Sequence, residues 1–136
     1  MKTTFILAEE FRQEASNKVT AIGLYTACSV LINIPSGEKP SLPITIDRLG
    51  FMFVTSGIEG KHEAYLQILS PSGTVLMESN KSPIEVQKNM VKYGHTFMIQ
   101  AHNFVVTELG QHICRYWIDG TSEDFPMFIE LNPNNV

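Results

Sequence analysis

The chain has 136 residues, of which 43% are hydrophobic and 18% are charged, and its formal net charge is −4. This composition is too apolar for a disordered protein, and the length suits one domain with a sizeable core, so we expect residues 1–136 to form a single domain. Lysine and arginine are scattered, with no basic stripe to neutralise phosphates, which argues against nucleic acid as a partner.

The N-terminal segment predicts a first strand. Its apolar run, Phe5 to Ala8, ends at two glutamates. A signal-peptide core needs about 7–15 apolar residues and a membrane helix needs about 20, and neither is found along the chain. We therefore expect neither a targeting segment nor a membrane partner.

Two cysteines, Cys28 and Cys114, each lie in strand-like sequence. A disulfide between them stays open as an alternative. Two buried thiols in a reducing compartment are favoured because nothing in the sequence directs the chain to an oxidising compartment. The expected location is the cytoplasm.

Short segments in which apolar and polar residues alternate predict about eight β-strands, separated by clusters of Gly, Pro, Asn and Ser. The predicted strands are residues 5–12, 19–26 (with a continuation through 29–32), 42–54, 64–69, 74–78, 95–107, 110–120 and 125–131, with a loop at 35–40 and a frayed tail at 132–136. The predicted fold is all-β: a single-domain, antiparallel two-sheet β-sandwich, immunoglobulin-like or C2-like. A small closed barrel is the alternative.

The third strand region changes face near Asp47 and Arg48. Its apolar residues occupy even positions before this point and odd positions after it. Because successive side chains of a strand point to opposite faces, the change predicts a β-bulge here.

Residues 83–93 fit two different structures. Ser82 as N-cap, Pro83 at the first helical position, Glu85 three residues after the cap and Gly94 as a stop are typical of a short helix. Residues 83–86 also alternate like a short strand, so both interpretations stay open.

The two strand-like segments on either side of Glu108 and Leu109 predict a β-hairpin. Pairing Thr107 with Gly110 would set Gln100 opposite Trp117 on an outer face, whereas Cys114, Tyr116 and Ile118 would face the core. A slip of one residue would exchange the two faces.

The outer face of this predicted hairpin is the candidate interaction surface. Its residues are Trp117, Arg115, Ile113, Phe104 and His102. Trp and Arg are enriched where proteins bind one another tightly. The alternative is that residues 82–93 or another strand cover this face and make Trp117 part of the core.

Three segments, Phe5–Arg12, Asn17–Tyr25 and Gly110–Gly120, resemble the opening and closing strands of a family of small uncharacterised bacterial proteins, a domain of unknown function. Its members begin with an apolar strand that carries an acidic pair, followed by a polar turn and a strand ending in Ile-Gly and an aromatic. They end with a Gly-x-aromatic strand that leads into Asp-Gly. The likeness spans residues 4–131 and implies a β-sandwich with no assigned activity. His112 stands where the family has an aromatic residue.

Four histidines are the obvious candidates for metal binding or acid–base chemistry: His62, His95, His102 and His112. No two of them have the spacing that places ligands together on a helix or a strand, and no Cys or carboxylate completes a known ligand pattern. We expect no metal and no cofactor.

Other catalytic chemistry is also poorly represented. Glu9 and Glu10 are adjacent on a strand, so they should point to opposite faces and not form the carboxylate pair of a glycosidase. Cys114 and Arg115 should face opposite ways for the same reason, which leaves an inert thiol. No Gly-x-Ser-x-Gly or phosphate-binding loop is present.

The sequence therefore favours a non-enzymatic binding or assembly module that acts through protein–protein contacts or self-association. An accessory sandwich that binds carbohydrate through Trp117 is one alternative. A small hydrolase is the other, and it requires two histidines within about 5 Å of each other, or a histidine as close to Glu9, Glu10 or Asp47, in a cleft.

Overall fold

The computed structural model describes residues 1–35, 37–39 and 41–133, and ten β-strands make up most of this part of the chain. The strands are β1 Lys2–Gln13, β2 Val19–Leu24, β3 Ser29–Ile32, β4 Ile44–Ser56, β5 Gly60–Leu69, β6 Val75–Glu78, β7 Ser82–Val86, β8 His95–Val106, β9 Gly110–Ile118 and β10 Thr121–Leu131. Three 3-10 segments cover Ala15–Asn17, Thr26–Cys28 and Lys88–Tyr93.

Two sequence-based expectations fall partly outside the described residues. The predicted loop at 35–40 includes residues 36 and 40, and the predicted tail at 132–136 includes residues 134–136. None of the described helical segments has the length and hydropathy needed to cross a membrane.

The strands form the predicted two-sheet sandwich. The four-stranded sheet has the order β2-β1-β4-β8, and the six-stranded sheet has the order β3-β10-β9-β5-β6, with β7 also pairing with β5. The pairings are antiparallel apart from that of β3 with β10, which is parallel. The prediction of an all-β sandwich is confirmed.

The predicted continuation of the second strand through residues 29–32 is instead a change of sheet. β2 pairs with β1 in one sheet, whereas β3 pairs with β10 in the other. Ala27 and Cys28, between them, both have positive φ angles, of 54° and 51°. Two successive residues with left-handed backbone angles turn the chain sharply. The strand-like sequence pattern therefore continues through residues 29–32, although the strand itself is interrupted at this turn.

Aromatic side chains hold the two sheets together. The ring of Phe53, on β4, stacks on Phe5 of the neighbouring strand with ring centroids 4.8 Å apart. On its other side Phe53 stacks on Tyr116, from β9 of the opposite sheet, at 4.5 Å and an interplanar angle of 8°. Phe97 and Phe125 pack against the same ring. Burial raises the pKa of Tyr116 to about 12.

The predicted hairpin between β8 and β9 is wrong. β8 pairs with β4, whereas β9 pairs with β5 and β10, so the two strands belong to different sheets. Both strands bury alternate residues in the same core, and alternation reveals the buried face of a strand but not its neighbour. The link of three residues, 107–109, can span the roughly 10 Å between stacked sheets.

The change of face near Asp47 is real, but it does not come from a one-sided bulge. The pairing of β4 with β8 keeps the same register before and after this point, from Ile46 opposite Phe104 to Leu49 opposite Ala101. β8 changes face at the same level, at Asn103, which has a φ of 54°. The two breaks lie opposite each other, so neither strand gains a residue over the other.

The first strand crosses over β4 beyond Ala8. Ala8 is the last residue of β1 that pairs with β4, and its partner is Gly50. A Cβ at Gly50 would lie only 3.0 Å from the ring of Phe11, and the side chain of Gln100 on β8 reaches past Gly50 to donate a 2.8 Å hydrogen bond to the Glu9 carbonyl. Glycine suits position 50 because any side chain there would press on the Phe11 ring and the Gln100 amide.

Residues 82–93 contain both structures that the sequence suggested. Ser82–Val86 forms strand β7 beside β5, and Lys88–Tyr93 forms a 3-10 segment that ends at Gly94. The capping pattern at Ser82 does not begin a helix, because residues 82–86 pair with β5 as a strand.

Replacing Phe53 with alanine should lower the free energy of unfolding by about 3–5 kcal/mol, since it empties the centre of the aromatic core. The measurement is chemical denaturation followed by circular dichroism. Tyr93→Ala is the control: Tyr93 is 65% exposed, and its loss should change stability by no more than about 0.5 kcal/mol. A Phe53→Ala protein as stable as the control would contradict the proposed centre of the core.

Candidate functional site

Strand β9 separates its side chains into two faces as the sequence predicts. Cys114, Tyr116 and Ile118 are buried, whereas Ile113, Arg115 and Trp117 are half-exposed on the outer side of the six-stranded sheet. β9 lies between β5 and β10, so its outer side chains are at the centre of that sheet.

Trp117 is fixed by its neighbours on β5. Its indole ring stacks on Tyr65 with ring centroids 5.6 Å apart and planes 2° from parallel, and its Nε1–H donates a 2.8 Å hydrogen bond to Oε1 of Gln67. Gln67 in turn donates to the Glu78 carboxylate at 2.6 Å. The five central side chains are called the aromatic face below: Tyr65, Gln67, Ile113, Arg115 and Trp117.

Arg115 is held by a carboxylate on the next strand. Its Nε and Nη2 donate to the two carboxylate oxygens of Asp124 at 2.8 Å and 3.0 Å. The guanidinium lowers the pKa of Asp124, and the carboxylate raises that of Arg115. This bidentate pair balances the charge at one side of the aromatic face.

The structure brings together three of the five residues of the predicted interaction surface. Trp117, Arg115 and Ile113 share the aromatic face, whereas Phe104 is only 5% exposed and belongs to the core. His102 is exposed on the other sheet. The prediction that all five residues share a face is wrong, because it relied on the pairing of β8 with β9.

Sequence reasoning missed Tyr65 and Gln67. Both lie on β5, and Gln67 is 50 positions from Trp117 in the chain. Their alternation with the buried residues Ala64, Leu66 and Ile68 marks them as outward-facing, but no local pattern indicates which strand lies beside them.

The prediction that Glu9 and Glu10 point to opposite faces is also wrong. The Arg48 guanidinium lies 3.6 Å from Oε2 of Glu9 and 3.0 Å from Oε2 of Glu10. The crossing of β1 over β4 breaks the regular alternation here. The Arg48 guanidinium bridges both carboxylates near the surface, and Arg12 lies 3.4 Å from Glu10, which suits an ion-pair network and not a pair of catalytic acids.

The described histidines are dispersed. His95 and His102 are seven residues apart on β8, a separation of about 23 Å along a strand. In the described residues, the ion pairs within 4.0 Å include His62 with Asp119 but no histidine with Glu9, Glu10 or Asp47. The same part of the chain holds no group of three His, Cys, Asp or Glu side chains suited to a metal.

His62 links the start of β5 to the turn between β9 and β10. Its Nδ1 bonds the Asp119 carboxylate, and its Nε2 bonds the Glu59 carbonyl at 2.6 Å. Both partners are acceptors, so the two hydrogen bonds form together only when both ring nitrogens carry protons, as in the imidazolium. The hydrogen bond to Asp119, followed by that to Glu59, raises the pKa of His62.

His112, the residue that departs from the resembling family, is completely buried on the core side of β9. Its Nδ1 donates to the Gly110 carbonyl at 3.1 Å, whereas Nε2 has no hydrogen-bond partner in the described structure. Burial lowers the pKa of His112, because an imidazolium would lose its hydration there. The ring is neutral and closed to any substrate.

Both cysteines are free thiols. Cys114 is buried, and burial raises its pKa well above the ordinary value, so Arg115 does not activate it. Cys28 is half-buried, and desolvation raises its pKa as well. Neither thiol has the lowered pKa of a reactive cysteine.

Comparison with known proteins finds no family whose sequence model matches this chain and no curated protein with significant similarity to it.

His62 should make stability fall as the pH rises above 6.5. The folded protein holds the His62 proton more tightly than the unfolded chain, whose histidine titrates near 6.5, so the extra stability is present below that pH and is lost as the pH rises through the raised pKa. Unfolding measured across this range should show a smaller decline in His62→Gln. His102→Gln, an exposed histidine on the other sheet, is the control and should keep the decline of the parent.

His112 should act in the opposite pH range. Its pKa is lowered in the folded state, so the unfolded chain binds the proton first and stability falls as the pH drops below 6.5. His112→Phe removes this contribution and should reduce the loss of stability between pH 6.5 and about 5, with stability above pH 6.5 changed by no more than about 1 kcal/mol. An unchanged acid slope would show that His112 is not buried as a neutral ring.

Proposed function

We propose that the protein is a non-enzymatic binding module that contacts a partner protein through the aromatic face of its six-stranded sheet. The observation that carries the proposal is the half-exposed Trp117, stacked on Tyr65 beside the guanidinium of Arg115. Trp, Tyr and Arg are the residue types that contribute most to protein–protein binding.

The rigidity of this surface supports the proposal. Trp117 is held by the stack with Tyr65 and by the hydrogen bond to Gln67, and Arg115 is held by two hydrogen bonds to Asp124. Side chains that are already ordered lose little conformational entropy on binding, so more of the contact energy becomes affinity.

The arrangement of charges around the aromatic face indicates what kind of partner it fits. Arg115 is neutralised by Asp124, and Glu78 accepts a hydrogen bond from Gln67. Lys81 lies over the ring of Tyr65, with its Nζ 5.5 Å from the centroid. The aromatic face is therefore nearly neutral, with its charges paired, which suits a protein surface that combines apolar side chains with polar groups.

The orientation of the two rings favours a protein partner over a sugar. A sugar ring binds by lying flat on an open aromatic face. Tyr65 and Trp117 form an offset stack, so each covers part of one face of the other ring.

A cytoplasmic location is part of the proposal. Both cysteines are free thiols, as expected in a reducing compartment. The net charge of −4 and the scattered basic residues make nucleic acid a poor partner for this module.

Trp117→Ala should reduce capture of partner proteins from a native-host lysate at least about tenfold relative to the parent, since it removes the centre of the aromatic face. Tyr65→Ala, on the neighbouring strand, should have the same effect. Quantitative mass spectrometry of the captured proteins is the measurement, and cooperative unfolding of both variants must be verified first. Tyr93→Ala, an exposed aromatic outside this face, is the control and should capture as the parent does.

Equal capture by the parent and by both aromatic variants would contradict the proposal. Titration with a panel of soluble sugars provides an independent check, because Trp117 is the only tryptophan and reports on its own face by fluorescence. A saturable change in its emission would favour the carbohydrate alternative.

A further inference from the structure

Strand β8 forms an open edge of the four-stranded sheet. It pairs with β4 on one side and is the last strand in the order of that sheet. In the described part of the chain, no backbone hydrogen bond is found on its other side. An edge of this kind offers a row of free N–H and C=O groups to another strand.

The other strands at the ends of the two sheets are short or interrupted. β3 and β6 have four residues each, and β7 has five and contains Pro83. β2 has six residues, one of them Gly23 with a φ of 64°. Short strands, prolines and irregular residues are the means by which proteins prevent unwanted edge pairing.

β8 lacks these protective features over the seven residues from Thr96 to His102. The segment contains no proline, no Lys, Arg, Asp or Glu, and no positive φ before Asn103. Its side chains alternate between the core, as with Phe97 and Ala101, and the outer side, as with Thr96 and Met98. It is a regular, uncharged strand with one side open for pairing.

We propose that this edge pairs with the same edge of a second copy of the chain, antiparallel and across a two-fold axis. Antiparallel pairing across such an axis makes the surface self-complementary, because each β8 offers the other the groups that it lacks. The segment carries no formal charge that would select a different, oppositely charged strand. The two four-stranded sheets would then form one continuous sheet of eight strands.

The dimensions of the edge indicate how tight this dimer is. Seven residues extend about 24 Å, and one sheet with its side chains is about 10 Å deep, so the edge of β8 itself contributes about 240 Å² per copy. A standard interface buries about 800 Å² per partner, so we expect a weak dimer that needs a high protein concentration to form. Backbone hydrogen bonds supply most of its specificity.

This inference is independent of the proposed function. β8 belongs to the four-stranded sheet, whereas the aromatic face belongs to the six-stranded sheet. Pairing through β8 does not involve Trp117 and Tyr65, which stay partly exposed on both copies, so the dimer presents two aromatic faces.

The test is molar mass by light scattering and sedimentation from about 10 to about 500 µM, the range for a weak interface. We expect the parent to rise from 15.3 kDa toward twice that mass. Thr96→Lys and Met98→Lys should remain at 15.3 kDa, because a lysine on an edge strand opposes pairing. Thr96 is exposed, so Thr96→Lys still tests the proposed pairing of β8 if Met98→Lys fails to fold.

Thr20→Lys is the matched control. Thr20 is an exposed threonine on β2, the opposite edge strand of the same sheet, and its substitution should leave the dimer intact. A parent that stays monomeric throughout, a Thr96→Lys protein that still dimerises, or dissociation caused equally by Thr20→Lys would each overturn the proposal. Trp117→Ala should dimerise normally, so a loss of partner capture and a loss of the dimer are separate results.

Discussion

The structure depends on the stack of Phe53 against Tyr116 across the core. These rings come from different sheets, and their close, nearly parallel contact sets β4 and β9 face to face. Once Tyr116 points inward, the alternation of a strand forces Arg115 and Trp117 outward. The position of the aromatic face therefore follows from a contact made on the opposite side of the same strand.

The same topology leaves β8 at an edge. β9 lies across the core from β4 and has β5 and β10 as its neighbours, and β8 has β4 as its partner. The short link after Val106 passes from one sheet to the other without forming a hairpin, and this leaves the outer side of β8 open. A hairpin of β8 with β9 would have closed that edge and covered part of the surface around Trp117. The aromatic face and the open edge are thus two consequences of one topology.

Sequence patterns predicted the fold class and most strands, because both depend on local alternation and turn residues. Along β9, for example, the buried positions of Cys114 and Tyr116 follow directly from the pattern. Strand neighbours could not be predicted in this way. Tyr65 and Trp117 meet only because β5 pairs with β9, and nothing in either segment specifies the other.

Local irregularities account for the remaining differences. Asn103 breaks β8 opposite Asp47, so a change of face that resembled a bulge leaves the register intact. Glu9 and Glu10 converge on Arg48 because β1 crosses above Gly50, a contact between residues about 40 positions apart. In both cases a strand that is distant in the sequence determines where the side chains point. The sequence of one segment alone does not indicate this.

The central claim is that Trp117 lies beside Tyr65 and Gln67 on the six-stranded sheet, away from β8. Nuclear Overhauser contacts from the single indole N–H test it directly, because this proton has few neighbours and one assignment. We predict contacts from the Trp117 indole to the side chains of Tyr65 and Gln67. Contacts to Gln100 on β8 in their place would restore the hairpin and contradict the account.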